Sequence, residues 1–236
     1  MHYVPGNRRL QTPPVFARIA EMGETPAMLD RRHLMRTSLA AASAMLCAPA
    51  VIARPAAQSY FATPDDAYPI NPIGHGVIPD TYMRQVVPYS TNLHPGAIVV
   101  DSTNRFLYVQ LDRGRAMRYG VAVGREGFGW SGQAKIMRKV MWPTWTPPAS
   151  MIARDKSLAK YARGMPGGPE NPLGARALYL YQNGKDTLYR IHGTNKPTSI
   201  GNAASSGCIR MLNQDVVDVY NAAVIGTDVY VLPHRK

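Results

Sequence analysis

Cysteine and histidine are side chains that often combine for nucleophilic chemistry, and this sequence carries such a pair near its carboxy-terminal end. Cys208 follows a serine–glycine turn, and Arg210 lies two residues further on, where an extended strand would place it on the same face. A thiol on a turn and beside a cation is expected to have a lowered pKa and to act as a nucleophile. His192, 16 positions upstream, is of the type that most often removes a thiol proton. The structural alternative, an inert buried thiol and an ordinary hydrogen-bonded histidine, stays open at this point.

The remaining candidate ligands argue against a metal centre. The chain has two cysteines, Cys47 and Cys208, which excludes a disulfide scaffold and a multi-cysteine zinc or iron–sulfur site. His75 and His94 lie in proline-rich segments without a neighbouring carboxylate cluster. We therefore expect no metal and no cofactor.

Composition describes a globular protein with a strongly basic balance. The chain has 236 residues, of which 45% are hydrophobic and 18% are charged, and its formal charge is +12. Such a composition supports a packed core and excludes a disordered tail. The excess of basic residues favours polyanionic surroundings. No nucleic-acid-binding motif accompanies it, so nucleic acid is not an expected partner.

Residues 1–57 are predicted to be an export signal. Arg31–Arg32 precede a charge-free, alanine-rich stretch over residues 37–53, and small residues recur up to Ala56–Ala57. A basic region, a short apolar region and small residues at the cleavage position define a secretory signal peptide. The paired arginines favour the twin-arginine route, with the general secretory route and an uncleaved anchor as alternatives, and Met28 is an alternative start. The predicted destination is the periplasm.

The pattern after the signal predicts one mainly β domain with a proline-rich lead-in. Residues 58–95 form the lead-in, and residues 96–233 form the domain. Alternating apolar residues, and an Asn-Gly turn at 183–184, favour strands and a hairpin. The predicted strands cover 98–100, 106–111, 117–123, 135–142, 177–182, 187–192 and 227–232. The fold class is therefore mainly β, a β-rich α+β domain with one or two short helices.

Two helices and a loop complete this prediction. Residues 216–223 form a short amphipathic helix with Asn213 as its N-cap, and residues 150–164 hold another on a long insertion. The sequence of residues 171–174 predicts a structured loop that borders the site. Trp142 and its aromatic neighbourhood either line a cleft or pack in the core, and both readings stay open.

Taken together, two segments of the domain resemble the L,D-transpeptidase catalytic domain of the YkuD type. The resemblance covers about residues 96–233, and it implies a β-sandwich or mixed sheet with one or two short helices. The residues that carry it are His192-Gly193-Thr194, Ile200-Gly201 and Ser205-Ser206-Gly207-Cys208-Ile209-Arg210-Met211, preceded by Pro166 to Leu180.

The resemblance implies a role for each site residue. Cys208 is the nucleophile, His192 is the base that accepts its proton, and the backbone carbonyl of Gly193 orients that histidine. The backbone N–H groups of Gly207 and Cys208 form the oxyanion hole, and Arg210 supports the site or steers substrate carboxylates.

The sequence departs from the family at one position of the motif. Many members carry a histidine where this chain has Ser206. Because His192 supplies the base, activation of the thiol is expected to survive. Ser206 remains a candidate substrate-binding residue, since its hydroxyl donates one hydrogen bond.

The implied activity is remodelling of peptidoglycan. The cysteine attacks the bond between the diamino acid and D-Ala of a tetrapeptide stem, forms a thioester, and transfers the acyl group to an amine, which gives 3-3 cross-links or attaches a protein. The implied partners are peptidoglycan stem peptides and an outer-membrane protein acceptor, and carbapenems are the expected covalent inhibitors. Two alternatives remain: an L,D-carboxypeptidase or wall-protein-releasing hydrolase, and a non-catalytic peptidoglycan-binding module.

Overall fold

The described part of the molecule begins after the predicted export signal. The computed structural model describes residues 66–124, 130–205 and 207–234. The predicted signal over residues 1–57 and the candidate residue Ser206 lie outside these ranges.

Short runs of branched and aromatic residues form the strands predicted from the sequence, together with several shorter ones. Within the described residues the strands, in chain order, are β1 (Gln85–Pro88), β2 (Ile98–Asp101), β3 (Phe106–Gln110), β4 (Arg115–Gly120), β5 (Val123–Gly124), β6 (Gly132–Met141), β7 (Arg176–Gln182), β8 (Lys185–His192), β9 (Ala203–Ser205), β10 (Ile209–Arg210) and β11 (Asp228–Val231).

Helical structure is limited to short segments. The α-helices are α1 (Ala149–Arg154) and α2 (Asn213–Ala222), and 3-10 turns cover Asp80–Tyr82, Lys156–Tyr161 and Pro197–Ser199. The helix predicted within residues 150–164 is therefore present as α1 followed by a 3-10 turn. In the part of the chain that the structure describes, no helix has the length and apolarity needed to cross a membrane.

Nine strands form one mixed sheet, with the order β1-β4-β3-β2-β11-β6-β7-β8-β10. Two neighbouring pairs are parallel, β11 with β2 and β10 with β8, and the other pairs are antiparallel. β5 and β9 form a separate parallel pair. Buried residues from both halves of the large sheet share one apolar cluster, to which Leu107 and Leu178 both belong. The prediction of a mainly β domain with a mixed sheet and few short helices is confirmed.

Helix α2 covers the sheet beside the strands that end at the candidate site. It packs against β7 and β8, and its buried face includes Val216 and Val219. The prediction that Asn213 caps this helix is wrong. The N-cap is Leu212, and Asn213 is the first helical residue, with its side chain directed to other backbone groups.

The amino-terminal part of the described chain is tied to the domain by a buried ion pair. Asp66 accepts hydrogen bonds from Arg176 and from the indole N–H of Trp142. Burial raises the pKa of Asp66, but the hydrogen bonds from Arg176 and Trp142 outweigh it and hold that pKa below its usual range. Ile70 then packs with Ala175, and Trp142 packs against the same cluster. Trp142 therefore takes the packing role of the two left open by the sequence.

Removing the acidic partner of this pair is expected to destabilise the domain strongly. The Asp66 and Arg176 side chains are 2% and 6% exposed, so Asp66→Ala leaves a buried cation without its counter-charge. We expect the free energy of unfolding in urea to fall by about 3–5 kcal/mol. The matched control is Asp112→Ala, which breaks an exposed pair with Arg115 and should cost less than about 1 kcal/mol. Equal losses in the two variants would contradict the proposed importance of the buried pair.

Candidate active site

Parallel pairing of β8 with β10 brings the candidate residues together. In this pair Arg210 lies opposite His192, and Ile209 lies opposite Ile191. Residues in register share a face of the sheet, and so do alternate residues of one strand. Cys208 directly precedes β10, so extending the register by one residue places it beside Arg190, on the face that carries His192 and Arg210.

His192 is buried and held in one tautomer. It is 4% exposed, and its Nδ1 lies 2.6 Å from the backbone carbonyl oxygen of Gly193. A carbonyl can only accept a hydrogen bond, so Nδ1 must carry the hydrogen of the neutral ring. The lone pair is then on Nε2, which is the atom able to take a proton. The structure therefore shows the contact with the Gly193 carbonyl that the resemblance implied.

The surroundings keep His192 neutral over a wide pH range. Burial lowers its pKa to about 4, and the positive charges of Arg210 and Arg190 act in the same direction. The backbone carbonyl groups of Gly193 and Leu173 favour the protonated ring and oppose the shift without cancelling it. At neutral pH the imidazole is therefore uncharged and competent to act as a base.

The Cys208 thiol is partly exposed and protonated at rest. Its Sγ donates to the Leu188 carbonyl oxygen at 3.9 Å. Burial raises the pKa of Cys208, although the Arg190 backbone hydrogen bond and the charges of Arg190 and Arg210 lower it. The lowered pKa expected from the sequence is therefore wrong in direction. The physical reason is that the cost of burying a thiolate exceeds the attraction of the two arginines.

Gly207 supplies the turn before the nucleophile. It is buried and has a φ of 128°, a conformation that strains any residue with a side chain. This backbone carries the N–H groups that the resemblance assigns to an oxyanion hole.

Arg210 is fixed by its backbone and has an unengaged side-chain donor. Ala122 and Arg210 exchange two backbone hydrogen bonds of 2.8 Å, which close the sheet beside the site. Within residues 66–124, 130–205 and 207–234, the buried Nε of Arg210 has no hydrogen-bond partner, and no carboxylate forms an ion pair with this side chain. A guanidinium in this state is suited to bind a carboxylate that arrives with a ligand.

Asn171, which is buried, and Asn213, which is partly buried, organise the loops around His192, and sequence reasoning did not assign either role. Asn213 Oδ1 accepts from the N–H groups of Ala175 and Thr194 at 3.0 and 3.1 Å, so it joins the two loops that flank the histidine. A side chain on Gly193 would collide with this oxygen. Asn171 donates to the carbonyl groups of Pro143, Met165 and Pro166, and its Oδ1 accepts from Leu173 N–H. The sequence carries no local signal for these contacts, because the partners of Asn213 are distant in the chain.

The described residues offer no metal centre. No group of three or more histidine, cysteine, aspartate or glutamate side chains in these ranges is placed to hold an ion.

Burial of a neutral His192 makes stability depend on pH in a defined window. An unfolded histidine protonates near pH 6.5 and the folded one at about 4, so the unfolded state binds more protons between these values. We expect this residue to reduce the free energy of unfolding by about 3 kcal/mol as the pH falls through the window. Urea titrations of wild type and His192→Gln from pH 7 to pH 4 measure the difference. His75→Gln, at an exposed position, is the control and should keep the wild-type slope. A wild-type slope in His192→Gln would contradict the assignment.

Comparison with known proteins agrees with this geometry. Residues 95–231 match the family model of the YkuD L,D-transpeptidase catalytic domain. The probable L,D-transpeptidase YbiS of Escherichia coli K12 is 32% identical over 142 residues, which are 58% of this chain and 44% of the relative. The probable L,D-transpeptidase ErfK/SrfK of the same strain is 29% identical over 164 residues, 66% of this chain and 46% of that one. The chain thus spans less than half the length of these two relatives.

Solved structures include a crystal structure described as a probable carnitine operon oxidoreductase from Brucella melitensis. It is 47% identical, with a TM-score of 0.45, and the match covers 65% of this chain and 95% of that one. The family resemblance seen in the sequence is confirmed by the match over residues 95–231: the chain belongs to the L,D-transpeptidase catalytic domain family of the YkuD type.

Proposed function

We propose that this protein is an exported cysteine L,D-transpeptidase that acts on peptidoglycan stem peptides in the periplasm. The observation that carries the proposal is the pairing of β8 with β10, which sets a tautomer-locked His192 on the same sheet face as Cys208. Family membership supports the same chemistry. The predicted signal over residues 1–57 supports export, and the net charge of +12 favours an anionic cell wall as the surroundings.

Acylation begins with proton transfer from Cys208 Sγ to His192 Nε2. The sulfur then attacks the carbonyl carbon of the bond between the diamino acid and D-Ala. Backbone N–H groups at Gly207 and Cys208 stabilise the resulting oxyanion, a contribution of about 3–4 kcal/mol per donor in acyl transfer. The proton on Nε2 passes to the amine of D-Ala, the carbon–nitrogen bond breaks, and a thioester remains on Cys208.

Deacylation uses the same groups in the opposite order. His192 Nε2 removes a proton from an acceptor amine, which attacks the thioester carbonyl. The carbon–sulfur bond breaks, and the proton returns to Cys208. An amine on a second stem gives a 3-3 cross-link, and an amine on an outer-membrane protein attaches that protein to the wall.

The first test separates the nucleophile from the rest of the fold. We expect the wild-type protein to gain one covalent adduct when it is mixed with a carbapenem, because the β-lactam carbonyl acylates the thiol. Intact-protein mass should show the adduct on wild type and none on Cys208→Ala, with a thermal melt confirming that the variant is folded. Folded wild type without an adduct would overturn the catalytic proposal in favour of a wall-binding module.

The same protein with a disaccharide-tetrapeptide identifies the acceptor. A cross-linked dimer with release of D-Ala supports transfer to an amine. Free disaccharide-tripeptide without dimer indicates that water resolves the thioester, which would make the protein an L,D-carboxypeptidase.

Arg210 is expected to act mainly on substrate binding. Arg210 is partly exposed, forms no ion pair with a carboxylate of the described residues and lies beside Cys208, which suits it to a carboxylate of the stem peptide. Because a hydrogen bond to a charged group contributes about 1.5–3 kcal/mol, Arg210→Met should raise KM by about 10-fold or more, with a smaller effect on kcat. Steady-state release of D-Ala measures both constants. Arg113→Met, at an exposed position, is the matched control. A loss confined to kcat would contradict a role in substrate binding.

A further inference from the structure

The strand that carries His192 is interrupted by a bulge directly beside the nucleophile. In the β7–β8 pair Tyr179 lies opposite Arg190, and Tyr181 lies opposite Asp186. One residue of β7 is therefore matched by three residues of β8, 187–189, which we call the β8 bulge. Its central residue, Leu188, has a φ of 62° and a side chain that is 76% exposed. Such a conformation is uncommon for a residue other than glycine and occurs often at functional sites.

An ion pair at the base of the β8 bulge holds this conformation. Asp186 accepts two hydrogen bonds from the Arg190 guanidinium, at 2.7 and 2.8 Å, and a third from the N–H of Leu188 at 2.8 Å. Arg190 also donates to the Tyr189 carbonyl at 2.9 Å and lies 4.2 Å above the ring of Tyr179. The Asp186 carboxylate thus bonds to the residue at the top of the bulge and to the residue that ends it.

Thr187 adds a second set of bonds within the β8 bulge. Its hydroxyl donates to the Leu180 carbonyl at 2.7 Å and accepts from the N–H of Tyr189 at 3.2 Å. Every residue of the bulge is therefore tied either to the ion pair or to β7, and the local backbone is fixed although Leu188 is exposed.

The fixed backbone presents one acceptor and one donor to the sulfur of Cys208. The Leu188 carbonyl accepts from Sγ at 3.9 Å, and the backbone of Arg190 hydrogen-bonds to the sulfur. The carbonyl favours the protonated thiol, whereas the N–H favours the thiolate.

We infer that the Asp186–Arg190 ion pair is a positioning device for the nucleophile: by clamping the β8 bulge it sets the Leu188 carbonyl and the Arg190 N–H against the Cys208 sulfur. The inference rests on the proposed function only in treating Cys208 as the nucleophile. Neither Asp186 nor Arg190 touches the reacting carbonyl in this account, so both act through the thiol.

Other charges face the same sulfur and must be separated in the test. Arg210 on β10 and Arg190 on β8 attract the thiolate, and Asp186 repels it. His192 lies on the same face, and Arg138 of β6 acts on Asp186. A variant that removes the Asp186 charge therefore changes the electrostatics of the thiol as well as the clamp. Loss of the charge should lower the pKa of the thiol and speed its reactions, whereas loss of the clamp should slow acylation.

The decisive experiment measures two rates in the full chain. The first is alkylation of Cys208 by iodoacetamide as a function of pH, and the second is acyl-enzyme formation with a carbapenem, both followed by intact mass. In Asp186→Asn the loss of negative charge should move the alkylation midpoint to lower pH, while loss of the clamp should slow acylation by about 10- to 100-fold. Arg190→Lys keeps the positive charge but cannot form the two-pronged contact, so acylation should slow with little change in the midpoint.

One control variant and the outcomes that decide the inference complete the design. Asp112→Asn changes an exposed aspartate paired with Arg115 at the far end of β4, and it should leave both rates unchanged. Faster alkylation together with slower acylation in Asp186→Asn supports positioning, because a purely electrostatic role would raise both rates. A thermal melt shows whether the variant is folded. Folded Asp186→Asn and Arg190→Lys that acylate within twofold of wild type overturn the inference.

The same design distinguishes failure of the inference from failure of the proposed function. If wild type forms no acyl-enzyme, the proposed function fails. A midpoint that still moves in Asp186→Asn, and not in Asp112→Asn, would then support contact between the clamp and the sulfur. A midpoint that does not move in Asp186→Asn shows that the carboxylate does not act on the sulfur and overturns the inference in either case, whereas the unmoved midpoint expected for Arg190→Lys does not.

Discussion

Two neighbouring parallel strands cannot be joined by a tight turn, and this constraint shapes the site. The chain leaves β8 at His192 and must turn back along the sheet, so that it enters β10 in the same direction as β8. The connection between them includes the 3-10 turn Pro197–Ser199 and strand β9, which pairs with β5. The crossover is therefore itself anchored to the domain. Because it is anchored, His192 at the end of one strand and Cys208 before the next are held on one face.

Burial has opposite consequences for the two partners of this pair. It lowers the pKa of His192 to about 4 and raises the pKa of Cys208 above its ordinary value of 9.0. At neutral pH the site therefore holds a neutral imidazole and a neutral thiol. Both shifts oppose transfer of the proton from the thiol to the imidazole in the free protein.

The sequence contained enough information to predict the architecture and to single out Cys208 and His192. It contained less about the contacts that position these two residues. Alternating apolar residues predicted the long strands, and the Asn-Gly turn predicted the β7–β8 hairpin, because these signals are local. The β8 bulge was not predicted, because Leu188 reads as an ordinary strand residue, and its conformation depends on side-chain contacts of Asp186 and Arg190 within β8 that the apolar pattern does not show. Asn213 was assigned to the helix cap, because its actual partners, Ala175 and Thr194, are distant in sequence. The predicted direction of the Cys208 pKa shift was wrong for a similar reason. The arginines are visible in the sequence, whereas the burial that outweighs them is not.

The arginine beside the pair has a more limited part in activation than its position suggests. Arg210 lowers the pKa of His192 and also lowers the pKa of Cys208. The first effect weakens the base, and the second makes the thiol a better acid, so their influences on proton transfer between the two groups oppose each other. What does not cancel is the attraction of Arg210 for an anion, which a stem-peptide carboxylate would supply. The attraction for an anion is therefore the property on which the proposed role of Arg210 in substrate orientation depends, while the carbonyl of Gly193 sets the tautomer of His192.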